Sequence, residues 1–319
     1  MKLSDNEISI LLLNSSVALD KSGVSPLTQS EWAGLLNKLI EYKFEPKNLL
    51  QEDSGKYLDA MGYGDEFKSR VTTLMGRSVK LSMGLEKLSH DGINIITIVN
   101  SNYPVLLRKK LKDKVPPVLY YVGDINYANK IGIGIVGSRR VSSAGLEFTR
   151  RLALQAASEK LVVYSGGAKG VDITAEYTSI NNGGVAVEFI AESMYEKIKS
   201  SDAIKAVLNN KLLLISDMNP EEGFKTWRAI NRNKYIYASS YGAFVIEADY
   251  NSGGTWAGAK EAIEKKYTRV FVRESKEHDG NTELIKLGGR GYKTVEDDLK
   301  SLILGGDPSG VSQLSIFDN

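Results

Sequence analysis

Three short glycine-rich segments each follow a predicted strand, and two of them also carry a cation. They read IVGSRR at 135–140, SGGAKGVD at 165–172 and NSGGT at 251–255. Small residues at such a turn leave backbone N–H groups free at the start of the next helix, whose positive end attracts an anion. Arg139 and Lys169 add fixed positive charge that suits a phosphate. The pattern predicts a phosphate-binding site, the alternative being glycine turns that only serve packing.

A fourth segment carries cations interleaved with aromatic residues. Residues 223–246 contain no acidic residue and include Arg232 and Lys234. Cations that follow a phosphate backbone, with aromatic rings that stack on bases, are typical of proteins that bind single-stranded nucleic acid. We expect Trp227 or Tyr235 to reach a base; alternatively, these rings belong to the core and the cations to a solvated face. The candidate DNA- and phosphate-binding residues are therefore Gly137, Ser138, Arg139, Arg140, Ser165, Gly166, Gly167, Lys169, Gly170, Arg232, Lys234, Ser252 and Gly253.

The elements that must position these residues are short, nearly all-apolar strands that alternate with helices. Strands buried on both faces are typical of a parallel sheet covered by helices. The carboxyl ends of such strands meet at one edge, where ligands bind. We therefore predict an α/β fold, with a doubly wound, mainly parallel Rossmann-like sheet over 130–304. The predicted strands are 131–136, 161–164, 185–190, 212–215, 243–247 and 269–272.

The rest of the chain divides into three predicted parts. Residues 1–92 are expected to form a small helical N-terminal module, with Ser30 as the N-cap of a helix whose apolar residues recur at helical spacing. Residues 93–129 read as an extended, basic connector, because two consecutive prolines interrupt any helix there. Residues 305–319 read as a flexible tail.

Composition excludes several classes of site. The chain of 319 residues has no cysteine and a formal net charge of only +2. Disulfides, thiolate metal sites and cysteine nucleophiles are therefore excluded. Its two histidines, His90 and His278, lie far apart in sequence and are expected to be exposed, so we predict no metal site and no cofactor. No apolar run approaches the length of a membrane span, and we expect a cytoplasmic protein without membrane contact.

The segments resemble the DprA/Smf family of DNA-processing proteins in order and spacing over about residues 100–300. The resemblance rests on NYP at 102–104, GSRR at 137–140, SGGAKGVD at 165–172, RNK at 232–234 and Asn281. It implies a Rossmann-like domain that binds single-stranded DNA without strict sequence choice, associates as a homodimer and helps load RecA. Positions that match the family's DNA pocket are Gly137, Ser138, Arg139, Ser165, Gly166 and Lys169, and those that match its basic helix start are Arg232 and Lys234.

The sequence departs from the family pattern at several places, and the family's Phe-Pro before RNK at 232–234 is missing. Glu176 stands where the family has histidine, and 273–275 read RES in place of Pro-Gly-Ser. A divergent member could serve another locus, such as phage defence or a toxin–antitoxin pair.

Three functions follow as hypotheses. The first is a non-enzymatic protein that binds single-stranded DNA in DNA processing and recombination. The second is a nucleotide phosphoribohydrolase-like enzyme on the same fold, with Glu247 or Asp172 as the catalytic group, although Glu247 is better explained as a residue that orders loops through hydrogen bonds. The third is a regulatory partner, such as an antitoxin. The fold does not decide among them.

The C-terminal tail suggests a protein partner. Its residues Gln313, Leu314, Ile316 and Phe317 resemble the short peptide by which bacterial proteins dock on the DNA polymerase sliding clamp. An unstructured tail suits such a role because it can fold on contact. The alternative is a tail that packs back on its own domain.

Overall fold

The computed structural model describes residues 3–18, 23–275, 277–295 and 298–305. The chain divides into two compact units. The first comprises residues 1–103, 111–121 and 217–219, and the second comprises 104–110, 122–216 and 220–319.

The first unit is mainly helical. Its helix α1 is apolar on every side from Ile10 to Leu13 and is buried there, so it forms the centre of this unit. The N-cap of helix α2 is Thr28 and not the predicted Ser30. Thr28 wins because Glu31 stands three residues later and completes a reciprocal capping box. The helices are α1 (Asp5–Asn14), α2 (Gln29–Glu41), α3 (Gly55–Ala60), α4 (Asp65–Met75) and α5 (Ser78–His90), with 3-10 turns at Pro46–Leu50 and Lys112–Lys114.

Two strands follow these helices in the segment predicted as a connector. Strand β1 (Asn94–Thr97) runs antiparallel to β2 (Val118–Val122), and helix α6 (Val105–Leu111) lies between them in sequence. The assignment of domain boundaries along the chain stays a prediction.

The second unit is built on seven parallel strands in the order β6-β5-β4-β3-β7-β8-β9. The strands are β3 (Gly132–Val136), β4 (Val162–Ser165), β5 (Ala186–Phe189), β6 (Leu212–Ser216), β7 (Gly242–Val245), β8 (Arg269–Arg273) and β9 (Arg290–Tyr292). The chain runs outward from β3 to β6 and then returns to place β7 on the other side of β3. The prediction of a mainly parallel, doubly wound α/β fold preceded by a helical region is confirmed.

Helices connect the strands. Helix α7 packs against α8, and α11 packs against α12. The helices are α7 (Ser143–Ser158), α8 (Val171–Asn181), α9 (Met194–Ile198), α10 (Ser201–Leu208), α11 (Thr226–Ser239), α12 (Gly253–Glu264), α13 (Asp279–Lys286) and α14 (Leu299–Leu304), with a 3-10 turn at Ile125–Asn129. Within the described ranges, no helix is both long and apolar enough to cross a membrane.

Candidate functional site

A cavity of about 350 Å³ opens at the carboxyl ends of β3 and β7, where the strand order reverses. Ligands of open α/β sheets bind at such switch points. Its walls come from the loops after β3, β4 and β7, from the first turn of helix α8 and from one face of helix α11. The lining residues are Val136, Gly137, Ser138, Arg139, Arg140, Ala168, Asp172, Thr226, Ala229, Ile230, Arg232, Asn233, Glu247, Ala248, Asp249, Ser252, Gly253, Gly254 and Thr255.

The cavity brings together about half of the predicted binding residues. Those that line it are Gly137, Ser138, Arg139, Arg140, Arg232, Ser252 and Gly253. The others are all described by the structure but do not line it: Ser165, Gly166, Gly167, Lys169, Gly170 and Lys234.

The loop after β3 presents its two arginines to solvent. The Ser138 amide donates to the Glu247 carbonyl oxygen at 2.9 Å, which ties this loop to the end of β7. The Ser138 hydroxyl accepts from the Arg140 amide at 3.0 Å. Arg139 and Arg140 are exposed, and the Arg139 guanidinium carbon lies 5.5 Å from the centroid of the Phe224 ring. The arginines are therefore available to an anion at the mouth of the cavity.

The loop after β4 packs directly on the loop after β3. Gly170 has a φ of +86°, and a Cβ there would lie 2.6 Å from the Ser138 carbonyl oxygen, so only glycine fits. Ser165 is fully buried, and its hydroxyl donates to the Ile135 carbonyl at 2.6 Å. Lys169 is exposed. Ser165 therefore joins strands β4 and β3 just before the two loops, Gly170 lets the loops approach each other closely, and Lys169 offers the charge.

A buried layer of charge underlies these loops. Asp172, Glu176 and Glu188 are buried around the side chains of Arg232 and Lys197. One Glu176 carboxylate oxygen accepts from the Gly167 amide at 2.9 Å, and Lys197 pairs with Glu188.

The acids of this layer hold protons more tightly than usual. Burial raises the pKa of Asp172 to about 6, although Arg232 opposes the rise. Burial also raises the pKa of Glu176 and of Glu188, and neighbouring carboxylates add to the rise. Sequence reasoning missed this layer, and the one signal for it was glutamate at 176 where the family has histidine.

Arg232 belongs to this layer. Its side chain is buried and donates to the Phe189 carbonyl oxygen. A Cβ at Gly166 would overlap its guanidinium group, so glycine at 166 makes room for the arginine. Arg232 thus closes the floor of the cavity and does not extend an exposed track of cations. Lys234 is half-buried, with its ammonium nitrogen 5.1 Å from the centroid of the Tyr235 ring.

Glu247 is only 1% exposed and organises the loops around it. It accepts from the amide of Ser142 at 2.8 Å, from the Ser142 hydroxyl, and from the Arg273 guanidinium at 2.9 Å. His278, expected to be exposed, is half-buried, with Nε2 3.3 Å from a Glu247 carboxylate oxygen. It is covered because helix α13 folds back against the end of β8. The contacts confirm that Glu247 orders the loops through hydrogen bonds.

Asn281 clamps the ends of β7 and β8. Its carbonyl oxygen accepts from the Ala248 amide at 2.9 Å. Its side-chain nitrogen donates to the carbonyl oxygens of Ile246 and Arg273 at 2.8 and 2.7 Å. This buried amide holds the position of the segment that carries Glu247.

The two aromatic residues expected to reach a base behave differently. Tyr235 is buried, and its ring packs 5.9 Å from that of Phe189, so the expectation is wrong for this residue. Trp227, two turns earlier on helix α11, is 56% exposed. The end of the helix, from Tyr235 to Ser239, is buried throughout, whereas its first half carries both exposed and buried side chains.

Two further predictions concern metals and the tail. No group of three or more His, Asp or Glu residues in the described part of the chain is arranged to hold a metal ion. The tail residues Gln313, Leu314, Ile316 and Phe317 lie outside the described residues.

Comparisons of the sequence with known proteins point to one family. The sequence profile described as DNA recombination-mediator protein A matches residues 94–303. The DNA processing protein DprA of Bacillus subtilis is 28% identical over 230 residues, which cover 70% of this chain and 76% of that protein.

Solved structures show the same fold. Streptococcus pneumoniae DprA superposes with a TM-score of 0.71 at 24% identity, covering 94% of this chain and 98% of the other. Helicobacter pylori DprA, described for its mode of binding single-stranded DNA, superposes with a TM-score of 0.55 at 24% identity. The match covers 67% of this chain and 96% of the other. The chain belongs to the DNA recombination-mediator protein A family, in which DprA and Smf proteins are found.

Proposed function

We propose that this protein binds single-stranded DNA through the cavity between β3 and β7 and acts in DNA processing during recombination. The observation that carries the proposal is a pair of exposed arginines in the cavity lining, with a third exposed cation on a neighbouring loop outside that lining. Arg139 and Arg140 lie on one loop, and Lys169 lies on the loop packed against it. Family membership supports the proposal, because the Helicobacter pylori relative is described as binding single-stranded DNA.

The proposed contacts go to the DNA backbone. Arg139 and Lys169 pair with phosphates, and the backbone amides at the start of helix α12, which lines the cavity, donate to phosphate oxygens. Contacts of this kind carry no sequence information, so binding has little sequence preference. Arg232 supports the loops from below and does not touch the strand.

The proposed role is non-enzymatic and cytoplasmic. Glu247, the strongest candidate for acid–base chemistry, already accepts hydrogen bonds from Ser142 and Arg273 and is almost fully buried. A group held in this way acts as a structural anchor. Turnover of mononucleotides that is abolished by Glu247→Gln would instead favour the hydrolase hypothesis.

The test is binding of fluorescent oligo-dT, followed by anisotropy over a series of salt concentrations. We expect the affinity of the wild-type protein to fall steeply as the salt concentration rises. The double variant Arg139→Ala/Lys169→Ala should lose most of the wild-type affinity at low salt. The matched control is Arg151→Ala/Lys205→Ala, which removes the same charge from exposed positions that do not line the cavity. Equal loss in both double variants would point to net charge alone and contradict a specific site.

Partners extend the proposal. We propose a homodimer, in which a second copy of the site would raise the affinity for a long strand through multivalency. We also propose that the protein passes the strand to RecA and that its tail binds the sliding clamp. Light scattering tests the homodimer by measuring the mass in solution. Retention on immobilised RecA or on immobilised sliding clamp tests the two protein partners. Phe317→Ala should lose retention on the clamp and keep retention on RecA.

A further inference from the structure

We propose that the first half of helix α11 and the residues just before it form a stacking surface for the bases of single-stranded DNA. This aromatic ledge consists of Phe224, Trp227 and Ile230. The proposal rests on the proposed function. It names the residues that contact the bases of the strand, whereas the proposed function named only contacts to its phosphates.

The ledge is unusually apolar for a surface. Phe224, Trp227 and Ile230 are 48%, 56% and 39% exposed. Their spacing of three residues places Trp227 and Ile230 on the same side of the helix. Three large apolar side chains exposed within seven residues of the chain indicate a contact surface more than scattered apolar residues would.

The ledge continues directly into the cavity. Ile230 belongs to both, since it lines the cavity together with Thr226 and Ala229 of the same helix. Phe224 meets the opposite wall, because its ring centroid lies 5.5 Å from the Arg139 guanidinium carbon. A strand whose phosphate pairs with Arg139 therefore brings a neighbouring base within reach of the ledge.

Arginines hold both rings in place. The Arg228 guanidinium carbon lies 5.2 Å from the centroid of the Trp227 ring, and Arg228 is itself fixed by Glu222 and by the Gly223 carbonyl oxygen at 3.1 Å. Cation–π contacts of this kind orient a ring that would otherwise rotate freely. A ring that is already ordered loses less entropy when a base stacks on it.

The surrounding charge selects a nucleic acid over an apolar protein partner. Residues 223–246 contain no acid. Arg139 is exposed and lies against the Phe224 ring, and Arg140 and Lys225, each next in sequence to one of these two residues, are exposed as well. An apolar protein surface would have to bury these cations without partners, whereas the backbone of single-stranded DNA supplies a phosphate beside each base. Aromatic rings beside cations fit that alternation.

Tryptophan fluorescence gives a direct test. The chain has three tryptophans, and Trp32 and Trp256 are 2% and 6% exposed, so Trp227 is the one that solvent and ligand can reach. We expect oligo-dT to quench the emission of the wild-type protein, and Trp227→Phe, which keeps a ring for stacking, to retain binding but lose the quenching.

Affinity then separates base from phosphate contacts. Stacking worth about 1–3 kcal/mol per base predicts that Trp227→Ala weakens binding of oligo-dT about 5- to 150-fold. An oligonucleotide with abasic sites should bind the wild-type protein less tightly but bind Trp227→Ala no worse than intact oligo-dT. Leu208→Ala, which truncates an exposed leucine on helix α10, is the control and should change nothing.

Two failures are distinguishable. If the wild-type protein binds oligo-dT without quenching and Trp227→Ala binds equally well, the ledge is refuted and the proposed function stands. If the wild-type protein does not bind oligo-dT at low salt, the proposed function itself is refuted, and the ledge with it. Thermal melts of Trp227→Ala should match those of the wild-type protein, because the side chain is exposed.

Discussion

Replacement of Asp172 by asparagine should change how stability depends on pH. Asp172 lies in the first turn of helix α8, is almost fully buried and interacts with the buried Arg232. Burial raises its pKa to about 6, against an ordinary value near 4. Between these two pH values the folded protein holds a proton that the unfolded chain has already lost.

The sign and size follow from this difference. Because the folded state binds more protons than the unfolded state, the free energy of unfolding falls as pH rises through this window. A rise in the pKa of Asp172 from about 4 to about 6 lowers the free energy of unfolding by about 3 kcal/mol once the pH exceeds both values. Asparagine keeps the shape of the side chain and carries no charge at any pH. The stability of Asp172→Asn relative to wild type should therefore improve by about 3 kcal/mol from pH 3.5 to pH 8.

Urea unfolding at pH intervals across this range measures the difference. Asp249→Asn is the control, because Asp249 lines the same cavity but is exposed. A difference between Asp172→Asn and wild type that is constant with pH would refute the reasoning, as would one that runs in the opposite direction.

Three further substitutions test other buried groups. Burial lowers the pKa of Lys110 to about 7, while its ammonium donates to the Ser240 carbonyl at 2.7 Å. The unfolded chain therefore binds more protons than the folded protein between about pH 7 and pH 10, and wild-type stability rises over this range. Lys110→Met should lose this rise, on the order of 3–4 kcal/mol, when urea melts at pH 7 and pH 10 are compared. Arg232→Met leaves three buried acids without their arginine and should lower the free energy of unfolding by about 3–5 kcal/mol at pH 8. The loss should be smaller at pH 5, where the acids take up protons, and equal losses at the two pH values would contradict an interaction between Arg232 and ionised acids. Asn281→Asp places an acceptor against two carbonyl oxygens and should lower the free energy of unfolding by about 2–4 kcal/mol, which a thermal melt would detect. An unchanged melting temperature would show that the hydrogen bonds of Asn281 do not stabilise the ends of β7 and β8.

The strands of the second unit were predictable because they are apolar almost throughout. Strand β9 was missed, since it has three residues and only Tyr292 is buried. The pattern of a half-exposed edge strand is too short to stand out from a loop. The convergence of the loops after β3 and β7 was predictable from the rule for parallel sheets, and the cavity lies where that rule places it.

The functions of individual side chains were less predictable. An arginine in a basic segment reads the same whether it is exposed or buried, and Arg232 is buried only because acids from helix α8 and strand β5 fold around it. Trp227 and Tyr235 likewise lie in one aromatic segment. Their exposure differs because helix α11 enters the core partway along its length, which no local pattern of residues reveals.

The strand order has a consequence for folding. Ile133 of β3 pairs with Gly242 of β7, although three other strands separate them in the chain. Contacts between such distant segments form late, because the entropy cost of closing a long loop comes before the contacts contribute any stabilising free energy. A nascent chain that has completed β3 to β6 therefore has the first two glycine loops but not the cavity. A ligand of the cavity can stabilise only the finished domain, and its binding would report that synthesis has passed helix α12.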